Sequence, residues 1–129
     1  MCVTGQQREM LDQVLEVFEV VPDNNLRVMR PGQGLAELAA QILTRMQEQI
    51  EATKLVLVFV HGDTTTVPAT SIAAFDTGVP IGHLEAGLRT SNLRSPFPEE
   101  FNRQVISKIS TWHFAPTELS RQNLVAEGV

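Results

Sequence analysis

Three carboxylates stand where a parallel sheet would bring them to one rim. Asp63 follows the apolar run Leu55-Val-Leu-Val-Phe-Val60 and the turn His61-Gly62, Glu85 closes the run Val79-Pro-Ile-Gly-His-Leu84, and Glu99 stands where a polar loop enters a helix. In open α/β sheets ligands bind beyond the carboxyl ends of strands, so acids converging there are candidates for general acid and base work. Each has a structural alternative: Asp63 can cap a helix opening at Thr64, Glu99 can answer its helix dipole, and Glu85 can be a paired carboxylate at the sheet edge. His61 and His83 each lie two residues before one of these acids. Residues two apart on a strand share a face, which would set each imidazole near its own acid. With no third His or Cys close by, hydrogen-bonded strand-end histidines fit better than a metal pair, and no metal site is expected. His113, beside Trp112, reads as structural.

Cationic groups surround the same stretch. Arg89, Arg94 and Arg103 flank the loop and helix around Glu99, and guanidinium groups suit phosphate or carboxylate recognition. Arg103 lies four residues after Glu99, the spacing of an intrahelical ion pair, which competes with substrate contact. Gln6, Gln7 and Arg8 could point polar groups from a helix N-terminus into the cleft, or form a solvated first turn. Gly32-Gln-Gly34 is too short for a dinucleotide fingerprint, and no Gly-Lys-Ser/Thr phosphate loop occurs.

Strands and helices must alternate to position these groups. Met1 to Thr4 reads as the tail of a strand. From Arg8, apolar residues Met10, Leu11, Val14, Leu15, Val17 and Phe18 recur at helical spacing and stop before Pro22. Leu26 to Met29 is a short strand candidate, and Leu35 to Ile50 an amphipathic helix. The unalternating run from Leu55 predicts a strand buried on both faces. Thr64 to Thr77 reads as a helix of small residues, with Pro68 tolerable in its first turn. A strand over Val79 to Glu85, an irregular loop from Ala86 to Pro98, a helix opening at Pro98-Glu-Glu100, a strand over Thr111 to Ala115 and a helix from Pro116 complete the chain. Such alternation is the pattern of a doubly wound parallel sheet.

Composition bounds the function. The chain has 129 residues, 43% of them hydrophobic, enough for the core of one domain and too few for two. A formal charge of -5 argues against nucleic acid as a partner. The single cysteine, Cys2, excludes an internal disulfide. No apolar run reaches the ~20 residues that would span a bilayer, so no membrane partner is expected and the cytoplasm is the default location.

Six strings then carry a family resemblance: Gln6-Gln-Arg-Glu-Met-Leu-Asp-Gln-Val-Leu15, Pro31-Gly-Gln-Gly-Leu35, His61-Gly-Asp-Thr-Thr-Thr66, His83-Leu-Glu-Ala-Gly-Leu-Arg-Thr90, Pro98-Glu-Glu-Phe-Asn-Arg103 and His113-Phe-Ala-Pro-Thr-Glu118. In this order, over nearly the whole chain, they resemble the non-hydrolysing bacterial UDP-N-acetylglucosamine 2-epimerases. The resemblance implies a Rossmann-like domain, the incomplete N-terminal half of a two-domain GT-B-type fold, with residues 1–129 as part of the first domain and the second absent. Gln7 stands where the family commonly has His, and Val67-Pro68 replaces a Thr-Leu-like pair.

The implied reaction interconverts UDP-GlcNAc and UDP-ManNAc by anti elimination of UDP to a 2-acetamidoglucal and its return, with no redox cofactor. The C2 proton is barely acidic, so its removal must be coupled to departure of the diphosphate, and inversion needs proton exchange on both sugar faces. Carboxylates in different environments suit that task. By motif match Asp63, Glu85 and Glu99 form the acid/base set, His83, Arg89 and Arg103 are substrate-site residues, and Gln6 is a contact of a regulatory UDP-GlcNAc site. The resemblance also implies a homodimer, and a lone fragment could self-associate. A hydrolysing relative, a GT-B glycosyltransferase and a non-catalytic remnant domain stay open as alternatives.

Overall fold

The computed structural model describes residues 1–5 and 8–129, the side chains of residues 8–10 apart. Along the chain run β1 (Cys2–Val3), α1 (Arg8–Val17), β2 (Asn24–Asn25), α2 (Leu35–Thr53), β3 (Val58–His61), α3 (Thr66–Asp76), β4 (Ile81–Leu84), α4 (Glu99–Ile109), β5 (Trp112–Phe114) and α5 (Glu118–Ala126). Every strand pairing is parallel, and the strands form two ladders, β1-β2 and β3-β4-β5. This is the expected α/β architecture. Between β4 and α4 the chain is irregular, and the peptide bonds before Pro96 and Pro98 are cis.

The strand expected at Leu26 to Met29 is not regular there: β2 is confined to Asn24–Asn25. Leu26 and Val28 still lie beside β1, their N–H groups donating to Val3 O at 2.9 Å and Thr4 O at 3.0 Å. Between them Arg27 has a left-handed backbone, φ 48, which breaks the regular ladder. Leu26 O accepts from Arg45 Nη1 at 3.0 Å, tying this segment to α2. The helix expected from Thr64 starts at Thr66, with Thr65 rather than Asp63 at its N-cap position, and Pro68 falls in its first turn, where the missing N–H costs nothing.

Burial of β3 differs from the expectation for a physical reason. Val58 and Val60 are 7% and 6% exposed, whereas Phe59 between them is 56% exposed. One face packs against Leu38, Ile42, Met46 and Ile50 of α2 and against the small residues Ala69, Ala73 and Ala74 of α3. The opposite face, carrying Phe59, Gly82, Trp112 and Phe114, is open among the described residues. Burial is thus one-sided and β3 alternates despite its uniformly apolar sequence. Full burial of Ile42, Ile50, Ile81 and Ile106 contributes roughly 1.5–3 kcal/mol each.

Two glycines set the geometry near the strand ends. A Cβ on Gly82 would lie 2.5 Å from Cε1 of Phe59, whose ring packs 5.9 Å from that of Phe114. Gly87 has φ 88, and a Cβ there would fall on the Ser120 carbonyl, while Gly87 O accepts from Asn123 Nδ2 at 3.0 Å. The first turns of α5 therefore sit directly on the Gly87 backbone. Gly87→Ala is expected to lose at least about 2 kcal/mol in urea unfolding, from backbone strain and displacement of α5. Gly34→Ala, where nothing lies within 4 Å, is expected to change stability by less than about 1 kcal/mol.

Candidate active site

Two strand ends and one helix start build the site. Asp63 follows β3, Glu85 follows β4, and Glu99 opens α4. Since β3 and β4 are parallel in the register His61↔Leu84, their carboxyl ends finish side by side. The histidines cross over relative to the sequence expectation. His61 Nε2 lies 3.4 Å from Glu85 Oε2, the acid of the neighbouring strand, and His83 Nε2 donates to Gly62 O at 2.8 Å. The register decides this: His83 pairs with Val60 and faces the core, whereas His61 points to the open side.

His83 is 1% exposed. Because its Nε2 hydrogen serves the Gly62 carbonyl, Nδ1 is an unprotonated acceptor, buried and without a hydrogen-bond partner among the described residues. Burial lowers its pKa below the ordinary histidine value, the Gly62 bond offsets part of this, and of the nearby groups Arg89 lowers it and Asp63 raises it. His113 is held by Ser107 O at 3.0 Å.

Arg103 does not pair with Glu99. Its Nε and Nη2 lie 2.8 and 2.7 Å from the same oxygen of Asp63, and its Nη1 lies 3.4 Å from Glu100 Oε2. Asp63 O also accepts from Asn102 Nδ2 at 2.7 Å, so β3 and α4 are joined twice. The intrahelical alternative fails because residues 99 and 103 are not the pair that faces the sheet: Glu100 is fully buried and Glu99 only half-buried. The Glu99 carboxylate makes no hydrogen bond or ion pair with the described residues. Arg89 is turned the other way. Its side chain, 6% exposed, donates to both oxygens of Glu127 at 2.7 and 2.9 Å and to Ser107 Oγ at 2.8 Å. Gln6 lies outside the described residues.

Glu100 was not singled out by sequence reasoning. It accepts from Thr90 N–H at 3.0 Å, Ser91 N–H at 3.3 Å, Gln104 Nε2 at 2.9 Å and Arg103, fastening the loop after Arg89 to α4. Burial alone would raise its pKa, but the bonds from Gln104, Thr90, Ser91 and Arg103 outweigh it and hold the carboxyl below its usual range. A signal existed: Glu100, Arg103 and Ser107 recur at spacings of three and four and share a helix face. Glu85 has another distinction, a left-handed backbone at φ 68, uncommon for a residue with a side chain.

A family model described as UDP-N-acetylglucosamine 2-epimerase matches residues 1–129. The chain belongs to the UDP-N-acetylglucosamine 2-epimerase family. It is 57% identical over 128 residues to a probable UDP-N-acetylglucosamine 2-epimerase of Ralstonia solanacearum and 55% identical to the UDP-N-acetylglucosamine 2-epimerase of Escherichia coli K12, covering 99% of this chain and 34% of each relative. The crystal structure of the Neisseria meningitidis UDP-GlcNAc 2-epimerase bound to UDP-GlcNAc superposes with TM-score 0.95 at 52% identity, again over 99% of this chain and 34% of that one. The chain thus spans about a third of the length of the epimerases it matches. Among the described residues no helix is long and apolar enough to cross a membrane.

Within this epimerase domain the buried groups generate two pH-dependent expectations. The folded pKa of His83 is lowered from 6.5, so the unfolded chain binds more protons below that value, and stability present above pH 6.5 is lost as pH falls toward the folded pKa. His83→Gln, which keeps a donor for Gly62 O, is expected to flatten the fall in urea midpoint between about pH 7.5 and 5.5. For Glu100 the folded pKa is likewise lowered, from 4.5, so its stabilisation is full above that value and vanishes as pH drops through the folded pKa. Glu100→Gln is expected to cost about 2 kcal/mol at pH 7, from charge-assisted bonds left mismatched, and much less near pH 3.

Proposed function

We propose that these residues supply the sugar-facing acids of a non-hydrolysing UDP-GlcNAc 2-epimerase. The reading takes the activity of the full-length relatives as that of a longer enzyme in which this domain works. One acid-base group removes the C2 proton as the C1–O bond breaks and UDP leaves, giving the 2-acetamidoglucal. UDP then returns to C1 while a second group delivers a proton to the other face of C2, yielding UDP-ManNAc. No cofactor enters the electron balance.

The observation that carries this reading is Glu85. It stands at the carboxyl end of β4, 45% exposed, beside His61 and held at positive φ, a backbone state that costs roughly 1 kcal/mol or more for a residue with a Cβ. This backbone state turns the chain sharply at the strand end and leaves the carboxylate partly open beside His61. In this scheme Asp63 is oriented by Arg103, which holds one of its oxygens, and Glu99, uncommitted at the first turn of α4, is the third acid. His83 fixes the Gly62 turn on which Asp63 sits. Arg89 acts through the loop it anchors, and Gln6 serves a regulatory UDP-GlcNAc site. We read the enzyme as a cytoplasmic homodimer without nucleic-acid or membrane partners, as its family resemblance implies.

Positioned diphosphate donors in a closed, dry cleft stabilise the leaving UDP, and the two nearest guanidinium groups are already engaged by carboxylates. Residues 1–129 alone are therefore expected to show no epimerisation. The check is NMR of UDP-GlcNAc incubated with the purified chain in deuterated water; catalytic deuterium at C2 would show that this domain suffices. Joined to the remaining segments of the Escherichia coli relative, the chain is expected to be active. In that chimaera Glu85→Gln should lower kcat by about a hundredfold or more with UDP binding nearly intact. Release of free ManNAc in place of UDP-ManNAc would mark the hydrolysing reaction instead.

A further inference from the structure

Asp63 is held differently from the other two acids. Glu85 has the exposed imidazole of His61 3.4 Å away, and the Glu99 carboxylate makes no bond with the described residues. Asp63 is gripped at two points from one turn of α4. Asn102 Nδ2 donates to its backbone carbonyl at 2.7 Å, and Arg103 Nε and Nη2 both lie on Oδ2, at 2.8 and 2.7 Å. The turn ahead of it is fixed as well, since His83 Nε2 donates to Gly62 O at 2.8 Å and the Gly62 N–H to Leu84 O at 3.2 Å.

The grip leaves the two carboxylate oxygens unequal. Oδ2 accepts two charge-assisted bonds from the guanidinium fork, whereas Oδ1 accepts none among the described residues. An oxygen whose lone pairs are committed to N–H donors is the poorer proton acceptor, so a proton gained by Asp63 goes to Oδ1. An unrestrained aspartate rotates among staggered wells and exchanges its two oxygens, and the fork removes that freedom. Arg103 is in turn steadied by Glu100, whose Oε2 lies 3.4 Å from Nη1. Glu100 has no exposure and is itself set by Gln104 Nε2 at 2.9 Å and the Thr90 N–H at 3.0 Å. Asn102 is 4% exposed, while Phe101 between them is half exposed. Three residues of Glu100-Phe-Asn-Arg103 thus converge on the placement of one acid.

We propose that Glu100 and Asn102 are positioning residues for the reaction, acting on Asp63 through Arg103 and through its backbone carbonyl, so that Oδ1 is the oxygen that exchanges the C2 proton. The assignment rests on the epimerase activity proposed above. On the sugar face it meets, Oδ1 takes the C2 proton, the C2–H electron pair becomes the C1=C2 bond, and the C1–O pair leaves with UDP. The reverse path returns a proton from Oδ1 to C2. Such placement matters because a displacement of roughly 1 Å at a reacting group can cost about a hundredfold in rate.

The chimaera with the Escherichia coli segments provides the test, through Glu100→Gln and Asn102→Ala assayed with UDP-GlcNAc and UDP-ManNAc that carry deuterium at C2. Each variant is expected to lower kcat about ten- to a hundredfold with KM within about twofold. The substrate isotope effect should rise in one direction only, that in which Asp63 removes the label. The solvent isotope effect should rise in the other, in which Asp63 delivers the proton. A role confined to folding lowers kcat with the folded fraction and leaves both isotope effects as in the unmutated chimaera, and that result overturns the proposal. If the unmutated chimaera makes no UDP-ManNAc, the epimerase reading fails, and the grip on Asp63 is decided on the 129-residue chain by nitrogen-15 NMR. There the Arg103 Nε–H is expected to resist exchange with water and to lose that protection in Glu100→Gln. An Arg103 Nε–H that exchanges as fast as that of the exposed Arg94 in the unmutated chain overturns the proposal.

Discussion

The tie of Asp63 to Arg103 and of Arg103 to Glu100 is the interaction on which this structure turns. One guanidinium joins the end of β3 to the first turns of α4, and the carboxylate behind it fastens the backbone of Thr90 and Ser91. Buried charges are costly when unpaired, so the arrangement is stable only with every member present. Glu100 has no exposure, and its oxygens receive donors from the loop and from its own helix. The part of the irregular stretch at Thr90 and Ser91 therefore owes its position to α4, while Gly87 and Arg89 are held from α5 and the residue after it. That position in turn sets where Glu85 and Glu99 stand relative to each other.

The electrostatics arise from the same network. Arg89 and Arg103, the guanidinium groups nearest the strand ends, are both engaged by carboxylates within 3 Å. The rim that remains accessible is acidic and histidine-bearing, in line with the net charge of -5. Such a rim suits proton transfer at a neutral sugar ring better than it suits a diphosphate.

The sheet is lopsided for an equally simple reason. α2 and α3 bury one face with large aliphatic side chains and with alanines that let the helix lie close. The other face keeps Phe59, Trp112 and Phe114 between 47% and 56% exposed. These three aromatic residues lie on one face of β3 and β5.

Much was legible in the residues alone. Helical periodicity located α1 and α2, apolar runs bounded by glycine located β3 and β4, and Pro98-Glu-Glu100 located the start of α4, because these signals are local and depend on backbone preference and side-chain spacing. The same runs placed Asp63 and Glu85 at strand ends. Pairing was not legible. That His61 meets Glu85, that His83 serves the Gly62 carbonyl, and that Arg103 takes Asp63 rather than Glu99 all depend on the β3–β4 register and the rotation of α4, which only tertiary packing settles. One-sided burial of β3 was hidden for the same reason: an apolar sequence states what can be buried, and the neighbouring layers decide what is.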